Sequence, residues 1–224
     1  MNELLLFATI IIDLGFVLFM FTLGKEFLYA SICANLILIG TAGPKLIAIF
    51  GFTTNAGNVF YAAVFFATYL LIEHHDQKPG VRAIWIGSSA AVLFLIMTQL
   101  TLNFGSAPEG QAVSEAFKSI FRVTPRVALA SISAYIIAQY LNVRLYHIWK
   151  QQTEKAFLWL RAGLTVVIAQ MVDSIIFFMV AFLGVVSSEA VIQSLTTGYI
   201  IKVAVGFISI PLLYFSYRLK RLDN

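Results

Sequence analysis

The chain has 224 residues, of which 60% are hydrophobic and 12% charged, with a formal net charge of +4. A soluble domain carries about 25% charged residues, and no water-soluble fold of this size can hide so much apolar surface, as the mean hydropathy of +0.87 also indicates. The basic excess lies in short loops between apolar runs, which fits the positive-inside pattern of a membrane protein and excludes a nucleic-acid patch.

A spanning helix needs about 20 mostly apolar residues. Seven segments reach or approach that length: 4–23, 27–50, 59–72, 83–102, 126–148, 158–184 and 198–217. They predict an all-α, polytopic transmembrane bundle of seven spans. No linker is long enough to divide it, so residues 1–224 read as one domain. The first run lacks a basic leader and a small-residue cleavage site, so it reads as a retained span. The third is short and crosses only if residues 53–58 or Glu73 extend it. Between the second and third lies a stretch of small residues, 40–57, holding Pro44, Lys45, Asn55 and Asn58. A re-entrant or broken-helix element is expected there, because irregular backbone at membrane depth is tolerated where it lines a cavity. The longest loop, 103–125, carries an amphipathic stretch at 113–121 suited to the outer membrane surface.

Charge sets the predicted orientation. With the N-terminus outside, the inner loops and tail hold Lys25, Lys78, Arg82, Arg144, Lys150, Lys155, Arg161, Arg218, Lys220 and Arg221. The outer side holds Lys45, Lys118, Arg122 and Arg126. This imbalance favours an N-out, C-in arrangement of the seven spans.

Polar groups deep in apolar helices are costly, which makes each a functional candidate. Asp173 stands near the middle of the sixth span, and Lys202 about one turn into the seventh. Paired, the two would offset each other's burial, either as a structural staple or as part of a site. Gln170 lies one turn before Asp173, on the same helix face. Asn55 and Asn58 sit at the outer ends of the second and third spans, and Arg126 opens the fifth from outside. Asp173 is about 16 Å below the outer end of its span at 1.5 Å per residue. These groups therefore fall in the outer half, where they could line one cavity open to the exterior. Asp13 has no obvious partner and suits helix packing or an oligomer contact. Gln99 and Gln139 suit interhelical hydrogen bonds. The one cysteine, Cys33, rules out an intrachain disulfide.

No phosphate-binding loop of the Gly-x-x-x-x-Gly-Lys-Ser/Thr type, no His-Glu-x-x-His and no Gly-x-Ser-x-Gly occurs, so neither a built-in nucleotide motor nor an enzyme is expected. The adjacent His74 and His75 read as part of a solvated inner loop, and no cofactor is called for.

Three stretches then resemble a known family, the queuosine precursor transporters, or VUT family of vitamin uptake-like proteins. They are residues 53–68 (Thr53-Thr-Asn-Ala-Gly-Asn-Val-Phe-Tyr through Thr68), residues 126–139 with Asn142-Val-Arg after them, and Trp159-Leu-Arg with Gln170-Met-Val-Asp-Ser-Ile-Ile-Phe, Tyr199-Ile-Ile-Lys and Pro211. Together they cover about residues 28–217. The family pattern usually has an Asp after the Thr that ends the first stretch. Here that place is Tyr69, with Glu73 one turn on. The family core usually has six spans, which makes 4–23 an N-terminal addition. The resemblance implies import of a 7-deazaguanine-type base as the small-molecule substrate. Such a base offers N–H donors that a carboxylate such as Asp173 can accept. Asn55, Asn58 or Gln170 would read its carbonyl, aromatic side chains would stack on the ring, and Lys202 and Arg126 would tune or close the site. Other readings are uptake of another vitamin or nucleobase, alone or as the binding subunit of a separately energised transporter or a homo-oligomer, and a membrane scaffold held by a structural Asp173–Lys202 pair.

Overall fold

A computed structural model describes residues 1–153, 157–185 and 187–219. Lys155, Lys220 and Arg221, three of the inner-side charges counted above, lie outside the described residues. The elements run α1 (Asn2–Leu23), α2 (Lys25–Ala42), β1 (Leu46–Ile49), β2 (Phe52–Asn55), a 3-10 turn (Ala56–Phe60), α3 (Tyr61–His75), α4 (Gln77–Thr101), a second 3-10 turn (Pro108–Gly110), α5 (Gln111–Phe121), α6 (Pro125–Thr153), α7 (Leu158–Phe182) and α8 (Ser188–Ser216). The expected helical bundle is present. Among the described residues, five segments are long and apolar enough to cross a bilayer unaided: Asn2–Leu23, Ala56–His75, Gln77–Thr101, Leu158–Phe182 and Val191–Ser216. A sixth arises if α5, with the turn before it, and α6, bent by 52°, count as one broken span. The second expected span corresponds to the 18-residue α2, about 27 Å long, which is not among these.

Three boundary shifts bear on the site. The predicted span 27–50 ends early, at Ala42, where Gly43-Pro44 follows. Pro44 has no N–H to continue the helical ladder, and the chain turns back as an antiparallel hairpin pairing Leu46 with Asn55 and Ile49 with Phe52. Its two-residue turn, Phe50-Gly51, has positive φ at both positions (50° and 80°), as a type I′ hairpin requires. The re-entrant or broken-helix element expected at 40–57 is instead this β-hairpin. The third span is lengthened at its start, because the 3-10 turn feeds directly into α3. At the far end of the chain, α8 starts ten residues earlier than 198. Lys202 therefore lies mid-helix rather than one turn in.

Long-range contacts fix the direction of the helices. Asn2 Nδ2 donates to Ala48 O (2.9 Å) and Phe50 N to Glu3 Oε1 (3.2 Å), which places the start of α1 beside the hairpin. Arg126 at the start of α6 donates to Val180 O and Leu183 O at the end of α7 (2.5 and 2.6 Å). At the other end, Phe21 packs against His74 (4.6 Å between centroids), and Arg161 Nη1 reaches Thr153 Oγ1 (3.3 Å). One end of the bundle thus gathers the hairpin and the starts of α1, α3, α6 and α8. The opposite end gathers their finishes and the start of α7. α3 is the central helix, with every residue from Ala62 to Ile72 buried. α5 has no buried residue and flanks the hairpin end, as expected of the amphipathic stretch. Glycines permit close helix approach: a Cβ on Gly206 of α8 would lie 2.8 Å from Val166 Cγ2 of α7.

Candidate functional site

The hairpin end encloses a cavity of about 950 Å³, near the upper end of the range usual for small-molecule sites. Its walls come from α2, the hairpin, the 3-10 turn, α4, α6, α7 and α8. The apolar lining includes the aromatic side chains Phe52, Phe94, Phe121, Phe177, Phe178 and Phe182. The polar lining includes Thr54, Asn55, Asn58, Tyr61, Ser88, Ser131 and Tyr135.

Local structure holds the two asparagines. Asn55 ends β2 and caps the 3-10 turn, its Oδ1 accepting from Asn58 N (3.0 Å). Asn58 Nδ2 donates to Thr54 Oγ1 (2.9 Å). Gly57 makes the turn possible, since a Cβ there would sit 2.8 Å from the carbonyl oxygen of Ile39. This geometry leaves Asn55 Nδ2 and Asn58 Oδ1 uncommitted among the described residues. A donor and an acceptor fixed three residues apart can read a flat amide edge.

Asp173 and Lys202 pair as the sequence suggested, at 2.5 Å, with side chains 4% and 6% exposed. They do not line the cavity. Lys202 Nζ also lies 4.0 Å from the centroid of the Tyr61 ring, close enough for a cation–π contact. Tyr61 does line the cavity, so the ion pair sits one side chain behind the wall. Gln170 is buried on α7 near Asp173, and its Oε1 has no partner among the described residues. Arg126 stands at the rim, where its guanidinium caps the α7 C-terminus rather than facing the cavity. Cations are favoured at that pole of a helix. Gln99 bridges elements as expected, with Nε2 donating to Phe121 O (2.7 Å). Gln139 differs: its Oε1 accepts from Asn142 Nδ2 (3.0 Å) within α6.

The opposite end holds a second buried ion pair, between Arg161, counted above with the inner loops, and Glu73, at the edge of the third expected span. Arg161 Nη2 donates to Glu73 Oε1 at 2.6 Å, with side chains 0% and 3% exposed. The Tyr146 hydroxyl donates to Glu73 Oε2 (2.9 Å), and the Tyr217 hydroxyl donates to Oε1. Lys150 Nζ caps α3 through Ile72 O (2.6 Å) and Glu73 O (2.8 Å). Tyr69, at the place where the family pattern has an Asp, stacks on Tyr146 (4.7 Å). The acidic group of α3 thus sits one turn further along, at Glu73. The signal that could have revealed the pair is the ridge Arg161, Thr165, Ala169, Asp173 at i, i+4 spacing, which aligns Arg161 with a buried face.

Residues 55–216 match the protein family described as "Putative vitamin uptake transporter". The chain belongs to this family. It is also 36% identical over 188 residues to a Bacillus subtilis (strain 168) protein named "Probable queuosine precursor transporter". That match covers 83% of this chain and 79% of the relative. No solved structure matches. The matched region begins at Asn55 and takes in both buried ion pairs, while α1, α2 and β1 precede it.

Proposed function

We propose that the protein imports a queuosine precursor, a 7-deazaguanine-type base, across the cytoplasmic membrane of a prokaryote. The observation that carries this reading is the kinship with a queuosine precursor transporter over most of both chains. With the N-terminus outside, as the loop charges favour, the cavity faces the exterior and the Glu73 end faces the cytoplasm. The solute then meets Asn55 and Asn58 first. Asn58 Oδ1 accepts a ring N–H, Asn55 Nδ2 donates to the ring carbonyl, and the lining aromatics stack on the base. Arg126 holds the rim of the entrance. Deeper in, Tyr61 separates the base from the Asp173–Lys202 pair, and its displacement lets Asp173 and Gln170 take over the donor edge.

Uptake of a radiolabelled 7-deazaguanine base into cells lacking their own queuosine synthesis tests this. Accumulation should depend on the protein and drop at least about tenfold in Asp173→Asn, which removes a charged acceptor. A well-expressed protein that gives no uptake overturns the substrate. Full uptake by Asp173→Asn removes that residue from the site.

A further inference from the structure

Three features outside the cavity invite an explanation: the surface helix α5, the half-buried Asp13, and the network around Glu73. The network links the most helices. It joins three helix ends and one start at a single carboxylate, namely the ends of α3 (Glu73) and α6 (Tyr146), the start of α7 (Arg161), and Tyr217 just beyond α8. His74, beside Glu73, adds contacts to Ser216 Oγ (2.8 Å) and to the rings of Phe21 and Tyr217. Every transmembrane helix that meets at this end except α2 and α4 is therefore tied, directly or through a neighbouring side chain, to the residues around Glu73.

A buried ion pair is poor value as a staple, because desolvation offsets most of its attraction. Well-packed apolar side chains would hold four helices at least as firmly. What a charged network adds is discreteness. It is fully satisfied in one arrangement and fails as a unit when its hub is withdrawn. Its position also fits a path. On α7 a ridge of buried residues, Arg161, Thr165, Ala169 and Asp173, runs in i, i+4 steps from this network to the Asp173–Lys202 pair behind the cavity wall. The two pairs are about 18 Å apart along the helix. The residues between them are small or polar.

We propose that Glu73 and Arg161 form the gate that closes the transport path at the end opposite the cavity, so that release of Arg161 from Glu73 opens the α7 ridge to that side. This rests on reading the protein as a transporter. Both are positioning residues: they hold helices in one of two arrangements and need not touch the solute. The structure has the cavity open and the gate shut, which is one half of an alternating cycle.

The test needs no substrate. In a Cys33→Ala background, a reporter Thr165→Cys lies one turn inward from Arg161 at a site of 0% exposure, and a control Ser131→Cys lines the cavity. The protein is placed in lipid nanodiscs, where both ends meet a membrane-impermeant maleimide and sidedness drops out. With the gate intact, Thr165→Cys should label slowly and Ser131→Cys fast. Adding Glu73→Gln should speed Thr165→Cys labelling at least about tenfold, while Ser131→Cys labelling stays level or slows. Tyr217→Phe, which keeps the ion pair and removes one donor, should give a smaller rise in the same direction. Unchanged Thr165→Cys labelling in both variants overturns the gate. So does a parallel rise at both cysteines, which marks general loosening. If the reciprocal labelling holds but the parent protein takes up no deazaguanine base, the gate stands and the substrate reading falls.

Discussion

Glu73 and Asp173 are both carboxylates buried to within 4% exposure, and each faces one cation. Their surroundings differ. Glu73 has Arg161 and two phenolic hydroxyls, so both of its oxygens accept hydrogen bonds. Among the described residues Asp173 has the Lys202 ammonium on Oδ2 and no second hydrogen-bond donor, and that ammonium is shared with the face of Tyr61. One carboxylate is saturated by its own protein. The other keeps acceptor capacity beside a cavity. A group that locks helices into one discrete arrangement is served by saturation, whereas a group that takes a solute as a new partner is served by spare capacity. The difference in partners, more than the charge, separates the closed end of the molecule from the open one.

Removing each cation in turn gives the largest effects and can break the comparison. Lys202→Met should destabilise the folded protein by about 3–5 kcal/mol, because it strands a buried carboxylate. Arg161→Met also strands one, but two O–H donors remain on Glu73, and a hydrogen bond to a charged group contributes about 1.5–3 kcal/mol. Its cost should therefore be the smaller of the two. Unfolding in mixed micelles, read by circular dichroism against denaturant, ranks them. The opposite order would mean that the hydroxyls contribute little and that the two carboxylates differ only in name.

Tyr217→Phe is the next step down. It deletes one donor to Glu73, keeps the ring against His74, and should cost about 1.5 kcal/mol, the lower end of the range for a charged acceptor because Tyr217 is half exposed, in the same unfolding measurement. A cost as large as that of Arg161→Met would mean that the hydroxyl, and not the guanidinium, is the main partner.

The same contrast explains what was legible in the sequence. Seven apolar runs are enough to recognise the bundle, because a bilayer demands long uninterrupted helices. Asp173 and Lys202 stood out for the same reason, as charges at depth in neighbouring spans. Glu73 and Arg161 did not, because each lies at a helix end beside other charges, where hydropathy cannot tell a solvated loop from a buried junction. Leu46-Ile47-Ala48-Ile49 was read as the tail of a helix, since a short apolar run has no periodicity to separate strand from helix. Its hairpin carries Asn55, so the cavity's geometry depends on the element that was hardest to read. Asn55 and Asn58 themselves were recognisable from their polar chemistry beside small residues. That Asp173 stands behind Tyr61 rather than in the wall depends on tertiary packing that no spacing encodes.

The smallest effect sharpens the comparison most cleanly. Asp76 lies three residues beyond Glu73 at the same end of the bundle, 3.3 Å from His147 Nδ1, with which it forms an ion pair when the imidazole is protonated. Its side chain is 68% exposed. Water screens such a pair, and exposed pairs contribute about 0.2–1 kcal/mol. Asp76→Asn keeps the shape and removes the charge, so stability should move by less than about 0.5 kcal/mol and uptake should stay at the level of the unsubstituted protein. Glu73→Gln makes the same chemical change a turn away and should slow uptake severely, since the two residues differ mainly in burial and in the number of donors that converge on them. Equal losses from the two substitutions, measured side by side in one uptake assay, would show that negative charge anywhere at this end is what matters. The distinction between a saturated buried carboxylate and its solvated neighbour would then fail.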